Sequence, residues 1–115
     1  MCTKNELDNI LQMVATDLQK SFGSTLDKVI LYGSYARGDN DQDSDIDIMV
    51  LLNVGQPQDY EYRTILSRIS SDIGLSTDQV VSFAIGNTQD FDEKKSWHPF
   101  FKNIEADGRK IYERV

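Results

Sequence analysis

The chain has 115 residues, 39% of them apolar, and its 19 acidic and 12 basic side chains give a formal charge of -7. That length allows one domain over residues 1–115, a sheet with helices over it, and excludes a second core. The acidic balance works against tight direct nucleic-acid binding, where phosphate neutralisation supplies most of the affinity, and favours a neutral or basic partner.

The amino terminus, MCTKNELDNI, lacks the basic and then hydrophobic order of a secretory signal, and no apolar run has the length of a membrane span, so the expected compartment is the cytoplasm. Cys2 is the single cysteine and reads as an unactivated free thiol. Thr3 and Glu6 form a capping box, and Leu7, Ile10, Leu11, Val14, Leu18 and Phe22 follow at helical spacing up to Gly23. Val29 to Tyr32 suits a strand covered on both faces, and Gly33 stops it. A second strand is expected over Asp45 to Leu52, before the turn region Asn53 to Pro57. Tyr62, Ile65, Leu66, Ile69 and Ile73 mark a helix, with Gly74 expected as its left-handed cap. Gln79 to Ile85 is rich in strand formers. Thr88 is expected to cap a short helix through Lys95, Pro99 to open another carrying Phe100, Phe101 and Ile104, and Gly108 to end it. Strands separated by helices predict crossover connections in an α/β (α+β) domain with a small mixed sheet flanked by helices.

The chemistry concentrates in LYGSYARGDNDQDSDIDIMV, Leu31 to Val50. Strand residues two apart share a face about 7 Å apart, so Asp45 and Asp47 point one way while Ile46 and Ile48 point the other. Two like charges at that spacing repel by about 2 kcal/mol at an effective dielectric near 20, a cost that a divalent cation between them reverses. Oxygen-only ligands select a hard cation such as Mg²⁺, which keeps positions open for phosphate oxygens. Gly33 lets the backbone approach a phosphate closely, Ser34 adds a hydroxyl, and Arg37 lies one turn further. For Arg37 a surface ion pair with a neighbouring aspartate is the competing reading. Asp39, Asp41 and Asp43 do not make an EF-hand, because position six of such a loop is Ser44 and position twelve Val50. His98 reads as a helix cap or packing residue, Lys94 and Lys95 as a solvated helix end, and Trp97, Phe100 and Phe101 as core or partly an interface patch.

Gly33-Ser34, ten residues, and then Asp45-Ile46-Asp47 resembles the G-S-x10-D-x-D signature of the minimal nucleotidyltransferases, small members of the DNA polymerase β-like superfamily. The ARG at 36–38 and SD at 44–45 match the wording around that signature, and HPFFKNIEADGRKIYERV is similar to the tail of many short members. The resemblance covers most of the chain as an order of elements. It implies a polymerase β palm-like fold and transfer of a nucleotidyl group, usually from ATP, with two Mg²⁺ ions held by acidic residues and pyrophosphate released. By position it assigns Gly33 and Ser34 to the β- and γ-phosphates and Asp45 and Asp47 to the metals. The family commonly adds a third acidic residue from a neighbouring strand. QVVSFAI contains none, so Asp78, immediately before it, is the candidate third catalytic and metal-binding carboxylate, set against an ordinary strand-entry aspartate.

No spare domain is left to build an acceptor pocket. Short members of the family resemble the antitoxins of two-gene modules, paired with a HEPN-domain ribonuclease toxin whose tyrosine they adenylylate. The R-x4-6-H motif of that partner is absent here, so this chain is expected to be the transferase half. Two alternatives stay open: a small-molecule nucleotidyltransferase of the aminoglycoside-modifying kind, and a docking module that kept the fold without turnover.

Overall fold

In the computed structural model, which describes residues 3–114, the first helix starts where its capping box places it; Cys2 lies outside the described residues. The Thr3 hydroxyl accepts the Glu6 N–H at 3.1 Å, and α1 (Lys4–Phe22) buries Leu7, Ile10, Leu11, Val14, Ala15, Leu18 and Phe22 along one side. Strand β1 (Leu26–Tyr32) follows, then the single turn α2 (Ser34–Arg37), strand β2 (Ile46–Leu52), helix α3 (Tyr60–Thr77) and strand β3 (Val81–Asn87). Two short helices, α4 (Thr88–Lys94) and α5 (Pro99–Asp107), precede a fourth strand, β4 (Arg109–Glu113).

The sheet order is β3-β2-β1-β4. Only β2 and β3 run parallel, joined through α3; β1 pairs antiparallel with both β2 and β4. The expectation of crossovers therefore holds for one connection. Between β1 and β2 the four-residue α2 is too short to carry the chain across the sheet, so the chain folds back beside itself instead.

Strand β2 explains the layering. Its alternate residues Ile46, Ile48, Val50 and Leu52 join the core under α1 and α3, with Leu66, Ile69 and Ile73. Met49 and Leu51 point the other way, into a second core with Ile30, Phe91 of α4 and Ile104 of α5. Helices on both faces make the strand read as a continuous apolar run. Each fully buried Leu or Ile contributes about 1.5–3 kcal/mol, so this central strand anchors the fold. Asp47 has the parity of Met49 and Leu51 and thus opens onto the α5 side.

Several boundaries differ from expectation: β2 starts at Ile46 rather than Asp45, and β3 runs Val81–Asn87 rather than Gln79 to Ile85. Helix α3 runs through Gly74 to Thr77, and the left-handed cap is Asp78, at φ 61°, whose N–H donates to the Gly74 carbonyl at 3.0 Å. Apolar contacts of Ile69 and Ile73 hold the helix past the glycine, whose intrinsic cost is only about 1 kcal/mol. Asn87, not Thr88, caps α4: its side-chain oxygen accepts the Asp90 N–H at 2.8 Å. Strand β1 starts three residues before Val29.

Candidate active site

Strand β1 ends at Tyr32, which stands in register with Asp47 on β2. The next residue, Gly33, takes φ 75° and ψ -156°, a backbone state that favours glycine, and its carbonyl accepts the N–H groups of Ala36 and Arg37, both at 3.1 Å. A Cβ built on Gly33 would land on an Asp47 carboxylate oxygen and lie 3.1 Å from Asp47 Cγ. The glycine-serine bend and the second aspartate of Asp-Ile-Asp are thus in direct contact.

Gly33, Ser34, Arg37 and Asp47 line one open cleft of about 430 Å³. Tyr32 adds to its base, and α5 closes its far side with Phe100, Asn103, Ile104 and Asp107. Those α5 residues recur at helical spacing and were not singled out in the sequence as site residues; the pattern FxxNIxxD was the available signal. A larger groove of about 850 Å³ follows the free edge of β3 beside α3, but its lining holds no carboxylate and a single charge, Arg63, so it offers a cation no anionic ligand.

Electrostatics single out Asp47. Burial, and then the charge of Asp45, push its carboxyl above the ordinary carboxylate range, and Arg37 offsets this only in part. Its oxygens accept no hydrogen bond from the described residues. Burial, and then the Asp47 charge, likewise push the Tyr32 phenol up. A half-buried carboxylate without a donor, beside a second carboxylate and against a backbone with no Cβ, fits a hard divalent cation with phosphate oxygens completing its shell.

Asp45 stands one residue before β2 and faces solvent. Arg37 has both expected attributes: its Nε donates to Asp39 at 3.1 Å on the surface, and it borders the cleft, where Asp107 and Asp47 also act on its charge. Asp78 is exposed at the α3 cap, three residues ahead of β3. Because the Ile46 N–H donates to the Val80 carbonyl at 2.9 Å, β2 and β3 start at the same end of the sheet, and Asp78 lies toward that end. Among the described residues no three His, Cys, Asp or Glu side chains are grouped closely enough to hold a metal together. On β3 the residue in register with Asp47 is Ser82.

The other candidates are structural. His98 is the N-cap residue of α5 without a side-chain cap bond and stacks on Phe101 at 4.7 Å. Lys94 pairs with Asp90 at 2.9 Å, and Lys95 lies 3.7 Å from Asp92 and 3.8 Å from Glu105.

Residues 11–112 match the family described as nucleotidyltransferase domain. The chain belongs to that family. A Methanocaldococcus jannaschii protein that carries the name of a protein adenylyltransferase is 30% identical to this nucleotidyltransferase over 95 residues, 83% of this chain and 87% of the relative. Among solved structures, a toxin-antitoxin crystallised with AMP-PNP superposes with a TM-score of 0.64 at 18% identity, covering 90% of this chain and 73% of that one. A complex of a tri-AMPylated Shewanella oneidensis HEPN toxin with its MNT antitoxin gives 0.57 at 15% identity, covering 93% and 72%. These two likenesses establish that the nucleotidyltransferase has the same fold as those chains, as the order of its elements predicts.

Proposed function

We propose that this nucleotidyltransferase transfers AMP from ATP to a hydroxyl of a partner protein, a tyrosine of a HEPN-domain toxin, and so acts as an antitoxin in the cytoplasm. The contact of Gly33 with the Asp47 carboxylate carries this reading, because it unites a phosphate-cradling bend with the second aspartate of the acidic pair in one cleft. Two further observations support it: the adenylyltransferase relative at 30% identity, and the fold shared with toxin-antitoxin chains. No helix among the described residues is long and apolar enough to cross a membrane, which is consistent with the compartment.

In this reading Gly33, having no side chain, admits the β- and γ-phosphates against the backbone, and the Ser34 hydroxyl bonds one of their oxygens. Arg37 exchanges its exposed partner Asp39 for phosphate, a trade of a weak surface pair for a charge-assisted contact. Asp45 and Asp47 would hold two Mg²⁺ ions, which supply charge neutralisation at the phosphates and lower the cost of the acidic pair. The acceptor oxygen forms a bond to the α-phosphorus on the side opposite the departing group, the bond from that phosphorus to the bridging oxygen breaks, and pyrophosphate leaves. Asp78 is proposed as the third carboxylate, taking the acceptor's proton and joining the metal ligands; its free, exposed side chain at the sheet end where Asp45 stands supports this.

Incubation with α-labelled ATP, Mg²⁺ and the partner protein should label the partner, and Asp45→Asn or Asp47→Asn should abolish the label. An unlabelled partner, with both proteins folded, overturns the reading. Turnover unchanged by Asp78→Asn removes that residue alone. The docking-module alternative draws on Ser82 standing where a strand carboxylate would face Asp47, and it predicts inhibition of the partner without any label.

A further inference from the structure

The far wall of the cleft differs in chemistry from the wall that would take phosphates. Phe100 is 42% exposed and is held edge-on to Tyr32, with ring centroids 5.7 Å apart and planes at 88°. It is an aromatic group fixed in place yet open to a ligand. Asn103, one turn along the same side of α5, borders the cleft, and its amide makes no hydrogen bond to any described residue. Ile104 beneath them is 1% exposed and fixes the helix to the sheet, so neither group depends on a loop for its position.

Resting on the proposed nucleotide site, we infer that Phe100 and Asn103 form its base-reading wall and select adenine. A nucleoside triphosphate has an anionic end and a flat aromatic end bearing hydrogen-bonding edges. The cleft has a like division: Ser34, Arg37 and Asp47 on one wall, and on the other Phe100 and Asn103, with Asp107 one turn further along α5 toward Arg37. Its volume of about 430 Å³ is in the range of small-molecule sites. An exposed aromatic ring stacks on any base, since every base has a π face, and gives affinity without selectivity. A carboxamide has one donor and one acceptor side by side, which matches the N6 amine and N7 of adenine, whereas guanine presents two acceptors, O6 and N7, on the same edge. Stacking by Phe100 therefore serves all nucleotides, and Asn103 distinguishes among them.

Binding of Mg²⁺ complexes of non-hydrolysable ATP, GTP, CTP and UTP analogues tests this, with inorganic tripolyphosphate as a probe of the phosphate wall alone. The unaltered chain is expected to prefer ATP over GTP by about tenfold or more. Asn103→Asp, which keeps the shape but replaces the donor, and Asn103→Ala should bring ATP down to the level of GTP with tripolyphosphate affinity unchanged. Phe100→Leu should weaken all four nucleotides together, again sparing tripolyphosphate. An ATP to GTP ratio that survives both Asn103 variants overturns the inference, as does an equal loss of tripolyphosphate binding. If the unaltered chain binds tripolyphosphate but shows no preference among bases, only the base-reading wall falls. If it binds neither tripolyphosphate nor any nucleotide, the proposed function falls as well.

Discussion

The Cα of Gly33 rests against the Asp47 carboxylate, so that no side chain can be accommodated at position 33 without displacing the acid. Two penalties coincide there: a backbone at φ 75°, and a steric conflict with a group proposed to bind metal. Gly33→Ala is expected to destabilise the protein by about 1–3 kcal/mol and to abolish nucleotide transfer. Adding Asp47→Gly removes the conflict but not the backbone strain, so the double variant should recover part of the stability and none of the activity. Denaturant titration of the four proteins gives the coupling energy directly; strictly additive losses would show that the two residues do not touch.

Asp47 should make the empty protein less stable as its carboxyl ionises. Its pKa is raised, by burial first and then by Asp45, so the folded state carries the neutral form without penalty below the ordinary value of 3.8 and pays for the charged form above the raised one. Stability linked to this group is therefore full in acid and lost as pH rises through the raised pKa. Asp47→Asn is expected to raise the melting temperature at pH 7, with no gain at pH 3, while eliminating transfer. Magnesium should raise the melting temperature of the unaltered protein at pH 7 and leave that of the variant unmoved. A melting curve of Asp47→Asn that matches the unaltered protein at both pH values would contradict this assignment.

These two residues also show what could be read in the chain. Strand β2 was legible because helices cover both of its faces, leaving an apolar run interrupted only where Asp47 meets the cleft. The spacing of Gly33-Ser34 and Asp45-Ile46-Asp47 was legible because a tight turn and a strand start impose residue types locally. Strand β4 was not, since RKIYE is an exposed edge with no fully buried residue, held by its register with β1. Gly74 was misplaced as a cap because tertiary burial of Ile69 and Ile73 outweighs its propensity, and only the backbone shows Asp78 in the left-handed state. Asn103 and Asp107 look like any solvated helix face until α5 is laid across the sheet, which no local pattern specifies.

Ile104 links packing to the cleft. It is 1% exposed, packs in the core with Ile30, Met49, Leu51 and Phe91, and sits on the same side of α5 as Phe100 and Asn103. Ile104→Ala is expected to cost about 2–5 kcal/mol, as a cavity opens under the helix. The cleft should suffer beyond that, because α5 loses its anchor while the Gly33-Asp47 contact, made by β1 and β2, persists. Nucleotide affinity should therefore fall at a temperature where the variant is still folded, while tripolyphosphate binding is retained. Ile104→Val, removing one methylene, should cost only about 0.5–1.5 kcal/mol and keep both. Affinity that declines in Ile104→Ala only as the fold melts would show that α5 keeps its place without this residue.

Asp27 provides the opposite pH response at the opposite end of the sheet. It follows Leu26, whose register partner is Leu52, while Asp47 pairs with Tyr32 at the other end of the same two strands. Burial alone would raise the Asp27 pKa, but hydrogen bonds from Thr88 Oγ1 at 2.6 Å and Asn53 Nδ2 at 3.1 Å, with Arg114 at 2.9 Å, bring it below 3.8. A lowered carboxylate pKa stabilises the fold above the unfolded value, and that stability is lost as pH falls through the folded one. Asp27→Ala leaves the Thr88 and Asn53 donors without this acceptor and should cost about 1–3 kcal/mol at pH 7. The loss relative to the unaltered protein should shrink as the solution is acidified below pH 3.8, whereas Asp47→Asn shows a gain at pH 7 that disappears in acid. Nucleotide binding should be unchanged, since neither Asp27 nor its partners border the Gly33 cleft. Urea midpoints at pH 7 and pH 3, read beside ATP affinity, separate the two carboxylates: one holds the end of the sheet together, the other is kept at a cost to stability for the chemistry proposed at its far end.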